Sequence, residues 1–338
     1  MGMANLTASV RNIGRNPIIW PLLALALLMI FNLIAIPGFF SIEFHDGRLF
    51  GSVVDILKNA SPLAIIALGM TLVIALEGID ISVGSVLAIA GAMGIFMLDG
   101  YPTWIAILAA LGIGVLCGLW NGMLISILGI QPMVATLILL TIGRGIAQLI
   151  TGGRIIDTTS ASYTFLGKGY FLGLPIQAFL ILIVFALLYV LKTRTAFGLF
   201  VESVGGSKTA SRYAGIRPRS IMMISYAIVG ACASVAGIIV SANLGSADAN
   251  NAGLWIELDA ILAVVIGGTS MRGGRFYLGG TVIGALFIQS LTTTIYSLGV
   301  PAESILLVKA IVVILVCLIQ SEAFRKLFVP VGKKAIIE

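Results

Sequence analysis

The chain has 338 residues, of which 59% are hydrophobic and only 10% are charged, and its mean hydropathy is +1.12. Soluble domains carry about 25% charged residues, so this composition excludes an ordinary soluble globular protein. The net charge of +6 comes from basic residues that cluster near the termini and in loops. That distribution is typical of a membrane protein's orientation signal and not of a nucleic-acid-binding surface.

Apolar runs recur along the whole chain. A membrane helix needs about 20 apolar residues, and about ten runs approach that length. We therefore predict an all-α polytopic membrane protein, with residues 1–338 forming a single transmembrane domain. The predicted helices are 18–36, 53–76, 81–98, 103–128, 132–150, 175–191, 220–242, 255–269, 277–297 and 303–320.

The orientation follows from the basic residues. Arg11 and Arg15 precede an apolar run that is too long for a signal peptide and lacks a small-residue cleavage site, which predicts a first helix with a cytoplasmic N-terminus. Ten helices would return the C-terminus to the same side, and the positive-inside rule agrees. The basic residues on the predicted cytoplasmic side are Arg11, Arg15, those of the 194–219 cluster, Arg272, Arg275, Arg325, Lys326, Lys333 and Lys334.

The longest polar interruption with a strong positive charge is the basic loop (residues 193–219). Ser207 is a suitable N-cap for a short helix, Gly215 is suited to end it, and Pro218 blocks its continuation. Such a helix would lie across the cytoplasmic membrane surface, either as a docking element or as an amphipathic helix held by anionic lipid.

The two halves of the chain contain a weakly similar sequence pattern. Asp55 leads to the glycine-rich break GIDISVGS (78–85), and Asp259 leads to GGTSMRGGR (267–275). Duplicated halves with broken helices are common in transporters, so these two breaks form a candidate internal repeat.

Polar residues within the apolar runs are candidates for a transport path, because they are costly in a membrane. Thr141, Arg144 and Gln148 share one helical face, although Arg144 could instead extend to the outer interface. The amides could bind a hydroxyl-rich solute or join helices. The candidate path residues are Asp80, Asn121, Gln131, Arg144, Gln148, Asp259 and Gln289.

Enzyme and metal signatures are absent from the sequence. It contains one histidine, His45, and its three cysteines lie in apolar runs, so we predict neither a catalytic nor a metal site. GGSKT (205–209) lacks the glycine spacing of a phosphate-binding loop. We therefore expect no cofactor in this chain, and any ATP and Mg²⁺ would be bound by a separate subunit.

Four longer stretches together resemble the permease subunits of bacterial ABC importers for ribose, xylose, galactofuranose and related sugars. They are GMTLVIALEGIDISVGSVLAIAG (69–91), WNGMLISILGIQPMVATLILLTIGRGIAQ (120–148), VESVGGSKTASRYAGI (201–216) and ELDAILAVVIGGTSMRGGRF (257–276). The stretches 46–57 and 245–268 look closest to the galactofuranose importer, so the resemblance makes galactofuranose the leading cargo. Glu77 stands where the family usually has glycine, which leaves its role open.

The resemblance implies a machine of several subunits in the bacterial inner membrane. A periplasmic sugar-binding protein would deliver cargo, two permease subunits (identical or different) would form the path, and a double-cassette ATPase would dock on residues 201–216 and drive transport. The alternative is an ion-coupled secondary transporter, with Glu77, Asp80 and Arg144 as coupling residues. The docking residues implied by the resemblance are Glu202, Gly205, Gly206, Ser207, Ala210 and Gly215.

Overall fold

The computed structural model describes residues 18–45 and 47–320, and it contains a helix in every region where the sequence predicts one. Arg11, Arg15 and the basic residues beyond Gln320 lie outside the described residues. The helices are α1 Ile19–Ala35, α2 Ser52–Ala75, α3 Val83–Met97, α4 Thr103–Ser126, α5 Pro132–Thr151, α6 Ala161–Lys168, α7 Ile176–Arg194, α8 Ala196–Gly206, α9 Lys208–Tyr213, α10 Pro218–Leu244, α11 Ile256–Ile266, α12 Leu278–Ser297 and α13 Ala302–Gln320.

Six of the described helices are long and apolar enough to cross a membrane: α2, α4, α5, α7, α10 and α12. Helices α1 and α3 are apolar but shorter, as is the Ser304–Val316 part of α13. The protein is therefore a mostly helical polytopic fold, as the composition predicts.

Helix α2 forms the centre of the fold. In its most apolar 18-residue window 78% of the residues are buried, against 22% for α4 and α7. Helices α10, α12, α11 and α7 pack around it. Apolar character alone does not decide this position, because α7 has a higher mean hydropathy than α2 and far fewer buried residues.

Two of the predicted loops contain structure that periodicity did not indicate. Residues 37–52 contain the hairpin β1 Glu43–His45 and β2 Arg48–Phe50, and residues 151–174 contain α6. The strands β3 Ile156–Asp157 and β6 Ser246–Ala247 pair antiparallel, as do β4 Tyr170–Phe171 and β5 Leu174–Pro175. These short pairs satisfy backbone groups that loops packed against helices would otherwise leave unpaired.

The short helix α6 is anchored to the bundle by two side chains. Tyr163 is fully buried, and its hydroxyl lies 2.8 Å from the Ser241 hydroxyl of α10. Burial raises the pKa of the Tyr163 phenol to about 12. The Gln177 amide donates a hydrogen bond to the Gly167 carbonyl at the end of α6. Residues 161–168 are thus a fixed part of the fold.

The predicted helix 255–269 is shorter than expected. Helix α11 has 11 residues, and the segment before it, the outer segment (residues 245–255), is not an exposed loop. It packs beside α3, and a Cβ on Gly84 would lie 2.6 Å from the Gly253 carbonyl oxygen. Helices α3 and α11 therefore begin next to each other inside the protein.

Candidate functional site

The break between α2 and α3 (residues 76–82) holds a buried carboxylate. Glu77 has a φ of +62°, which turns the chain out of the helix. Asp80 is 2% exposed, and it accepts hydrogen bonds from the Ser82 amide at 2.9 Å and the Ser82 hydroxyl at 2.6 Å. Asn121 of α4 donates to the Ser82 hydroxyl at 2.9 Å. Two predicted path residues, Asp80 and Asn121, thus lie in one cluster.

This break cluster (Asp80, Ser82, Asn121, Thr136 and Tyr226) joins α3, α4, α5 and α10. The Thr136 hydroxyl accepts the Ile81 amide at 3.3 Å, and Tyr226 is close enough to Asp80 to interact with its charge. The side-chain oxygen Oδ1 of Asn121 and the Tyr226 hydroxyl are buried without a hydrogen-bond partner among the described residues. Buried polar groups usually have partners, so the cluster has spare hydrogen-bonding capacity.

Arg144 and Gln148, one turn apart on α5, hold the outer segment. Arg144 Nη1 donates to the carbonyls of Ala249 at 3.1 Å and Ala252 at 2.6 Å. Gln148 Nε2 donates to Asn250 Oδ1 at 2.6 Å. Both side chains are therefore engaged with the protein's own backbone and side chains, and Arg144 does not simply extend to the interface.

Two carboxylates lie beside these contacts between α5 and the outer segment. Asp248 accepts hydrogen bonds from the side-chain amide of Asn251 at 2.7 Å and from the backbone amides of Asn250 and Asn251. Mainly because of the Asn251 side-chain bond, the pKa of Asp248 lies below its ordinary value. Glu257, which the sequence analysis did not single out, interacts electrostatically with Arg144, and its Oε2 is buried without a hydrogen-bond partner among the described residues.

Asp259 is engaged in an ion pair. Its Oδ2 lies 2.8 Å from Lys309 Nζ on α13, and the two side chains are 24% and 10% exposed. The sequence analysis missed Lys309, although a lysine within an apolar run was a signal that could have found it. The pair joins α11 to α13.

The predicted path residues do not form one site. Gln131 is exposed at the N-cap of α5, and Gln289 is half-buried on α12. Asp80 and Asn121 meet in the break cluster, Arg144 and Gln148 hold the outer segment, and Asp259 pairs with Lys309. Of these places, the break cluster combines a buried charge with unpartnered polar atoms from several helices.

The basic loop contains two helices where the sequence indicated one. Helix α8 is capped by Thr195, whose hydroxyl accepts the Phe197 amide at 3.2 Å. Ser207 caps α9 by accepting the Ala210 amide at 3.2 Å, as predicted. Gly215 follows α9 with a φ of +82°, a conformation that favours glycine and ends the helical segment where expected.

This pair of helices has an inner and an outer face. Val201 and Val204 are buried, whereas Gly206, Ser207, Ala210 and Gly215 are exposed. Residues 206–215, exposed except for the buried Ser211, form the predicted docking face (the docking face), on which Tyr213 is 87% exposed. Of the other two residues in the docking set, Glu202 is half-buried in an ion pair 3.4 Å from Lys192, and Gly205 is buried.

Gly205 fixes the end of α8 to the centre of the fold. A Cβ at this position would overlap the carbonyl oxygen of Ala75, the last residue of α2, and would lie 2.7 Å from the Gly274 nitrogen. The Gly274 amide donates to the same Ala75 carbonyl at 2.9 Å. Three chain segments therefore meet directly before the break that holds Asp80.

A lysine reinforces this junction. The ammonium group of Lys192, near the end of α7, donates to the Phe276 carbonyl and lies 3.9 Å from the centre of the Phe276 ring. It also pairs with Glu202 of α8. Helices α7 and α8 and the 270–276 segment are thus tied together by one cation.

Comparison with known proteins identifies relatives along nearly the whole chain. The model of a family described as "Branched-chain amino acid transport system / permease component" matches residues 52–317. The galactofuranose transporter permease protein YtfT of Escherichia coli (strain K12) is 50% identical over 91% of this chain and 92% of its own. The fructose import permease protein FruF of Bifidobacterium longum is 37% identical over 97% and 94% of the two chains.

More distant similarities were also found. The ribose import permease protein RbsC of Haemophilus influenzae is 36% identical over 87% of this chain and 90% of its own. A solved structure titled as an inward-facing putative metal-chelate type ABC transporter covers 91% of this chain, but its identity of 16% and TM-score of 0.43 are too low to add weight. On the family match and these relatives, the chain belongs to the family of transport-system permease components.

Proposed function

We propose that this chain is the membrane-spanning permease subunit of an ABC importer that carries a monosaccharide, with galactofuranose as the leading candidate, from the periplasm to the cytoplasm. The observation that carries the proposal is the 50% identity, over nine-tenths of both chains, to a permease named for galactofuranose. The family description names branched-chain amino acids, but the relatives reported above that match along most of their length are named for sugars. A sugar cargo is therefore favoured.

The proposed topology has ten membrane-spanning helices, with both termini in the cytoplasm of a bacterium and the chain in its inner membrane. The six long apolar helices support it, and the remaining crossings would be α1, α3, α13, and α11 together with the outer segment, because the 11 residues of α11 alone span only about 16 Å. The basic loop, which contains Arg194, Lys208, Arg212, Arg217 and Arg219, lies on the cytoplasmic side in this arrangement.

ATP hydrolysis would take place in a partner, a double-cassette ATPase seated on the docking face. The exposure of residues 206–215 supports this assignment, as does the buried fastening of α8 through Gly205. Movement of a rigid α8–α9 unit would reach the end of α2 at Ala75 and so the break at residues 76–82. ATP and Mg²⁺ would be bound by that subunit and not by this chain.

The path for the sugar would pass the break cluster. Asp80, Asn121 and Tyr226 offer hydrogen-bonding groups that suit a polyol, and they come from the break after α2, from α4 and from α10. A periplasmic binding protein would deliver the sugar. A second permease subunit, of the same or a different sequence, would complete the path.

ATP-dependent uptake, together with co-purification of the ATPase, tests the proposal. We would express the chain with its candidate ATPase and binding protein, measure uptake of labelled galactofuranose, and compare Gly206→Trp with Gly100→Trp. Both glycines have open space around them, but Gly206 lies on the docking face and Gly100 in the turn between α3 and α4. Gly206→Trp should lose the ATPase and the uptake, whereas Gly100→Trp should keep both.

The same experiment addresses an ion-coupled transporter. Uptake that continues after ATP depletion but stops when the ion gradient is collapsed would overturn the ABC assignment. Uptake of ribose or fructose in place of galactofuranose would change the cargo and leave the transport mechanism intact.

A further inference from the structure

An apolar groove runs along the outside of α4 and α10. Its volume is about 410 Å³, and all its lining residues except one serine are apolar. Ser220 and Ala231 mark its two ends on α10, which at about 1.5 Å of rise per residue gives a length of about 17 Å. The hydrocarbon core of a bilayer is about 30 Å thick, so the groove is about as long as one leaflet is deep. The lining residues are Val115, Leu119, Ser220, Met223, Ile224, Ala227, Ile228 and Ala231.

A second concavity, the arginine notch, lies at the Ser220 end of the groove and shares that residue with it. The notch has a volume of about 390 Å³, and Arg212, Arg217 and Arg219 line it together with Ser220. Within residues 18–45 and 47–320, the ion pairs formed are His45–Glu43, Lys192–Glu202 and Lys309–Asp259, so none of the three arginines has a carboxylate partner there. The apolar groove therefore ends beside three positive charges that form no ion pair among the described residues.

Charge complementarity selects the occupant. A second copy of this chain in the same membrane has the same orientation, so a symmetric contact through this face would bring two arginine notches to the same depth. That arrangement repels unless further anions are added. An anionic phospholipid instead supplies a phosphate for the notch and an acyl chain for the groove.

We propose that the groove and the notch together form a binding site for one anionic phospholipid, with the phosphate at Arg217, Arg219 and Arg212, the last of which also belongs to the docking face, and one acyl chain in the groove along α4 and α10. The site is separate from the Asp80 break cluster, and the assignment does not depend on which solute the protein carries. Bound lipid would fill the junction between the basic loop and the start of α10, and so stabilise the position of α9 relative to α10.

The test uses the purified full-length chain in detergent and native mass spectrometry. Phosphatidylglycerol and phosphatidylcholine with identical acyl chains are titrated separately, and the bound lipid is counted. Arg217→Gln/Arg219→Gln removes two charges from the notch. Arg154→Gln/Lys168→Gln is the matched control, because it removes two exposed charges from the 151–174 region and leaves the notch intact. Ala227→Phe fills the groove without changing a charge.

One lipid of phosphatidylglycerol should bind in preference to phosphatidylcholine. At about fivefold per basic residue near an anionic headgroup, the notch variant should lose about 30-fold in affinity for phosphatidylglycerol, and the control should lose little. Ala227→Phe should weaken the same binding, and the thermal unfolding midpoint of each variant in detergent reports whether it is folded.

Four results would overturn the assignment. They are equal binding of the two lipids by the unmodified chain, an equal loss in the notch variant and the control, full binding by Ala227→Phe, and a dimer that forms through this face and excludes lipid. ATPase co-purification is measured separately, so failure of this site can be told apart from failure of the transport proposal.

Discussion

Gly205 and Gly206 are neighbours in the last turn of α8, yet an alanine at each should have opposite effects. A Cβ on Gly205 would overlap the Ala75 carbonyl oxygen, whereas a Cβ on Gly206 would meet no atom within 4 Å. The two substitutions change the same residue type in the same helix turn. Any difference between them therefore reports the junction of α8 with α2 and Gly274.

The expected magnitude follows from three contributions. Overpacking against backbone costs about 1–3 kcal/mol, loss of the Gly274–Ala75 hydrogen bond costs about 0.5–1.5 kcal/mol, and replacing glycine by alanine in a helix gains about 1 kcal/mol. Gly205→Ala should therefore destabilise the junction by about 0.5–3.5 kcal/mol net, and Gly206→Ala should stabilise the helix by up to about 1 kcal/mol.

Hydrogen–deuterium exchange of the 270–276 peptide measures this effect locally. At about 1.4 kcal/mol per factor of ten, the Gly274 amide should exchange about 2- to 300-fold faster in Gly205→Ala. Exchange in Gly206→Ala should match that of the unmodified chain. Equal protection of this peptide in both variants would refute the close junction. It would also refute the proposal that movement of α8 is transmitted to the break after α2.

Three further changes test other contacts. Lys309→Met should cost about 3 kcal/mol in detergent unfolding because it strands Asp259, and adding Asp259→Leu should recover most of that loss, whereas additive losses would contradict the pairing. Burial raises the pKa of Tyr163 from 10.0 to about 12. Its contribution to the free energy of unfolding is therefore complete below pH 10 and falls by up to about 3 kcal/mol as pH rises to 12. The free energy of unfolding of Tyr163→Phe should lack this decrease with pH. Asp248→Ala should speed amide exchange at residues 249–252 more than Asp248→Asn, which keeps a hydrogen-bond acceptor. Because the pKa of Asp248 is lowered, the stability that its carboxylate contributes should be lost in the unmodified chain only below the ordinary pKa of 3.8. Identical exchange in both variants would refute the role of the Asp248 hydrogen bonds.

The sequence by itself determined where the long apolar helices form in this protein and how the end of the basic loop is built. Lipid-compatible runs need their own internal backbone hydrogen bonds, so composition alone predicts helices. The Ser207 cap and the Gly215 terminus were predictable because each depends on neighbours a few residues away. Helix α8 was missed because its regular polar spacing is interrupted by glycines that pack against other segments.

Only the tertiary structure decided which polar groups meet. Arg144 and the Ala249 carbonyl are 105 positions apart, and Lys309 and Asp259 are 50 positions apart, so no local pattern pairs them. In a bilayer most faces of a helix are apolar, so hydropathy shows that a residue lies in the membrane region but not which neighbour its side chain faces. The neighbour that a side chain contacts depends on close helix packing. Packing pairs Asp259 with Lys309, and it places Asp80 in a cluster with unpartnered polar atoms.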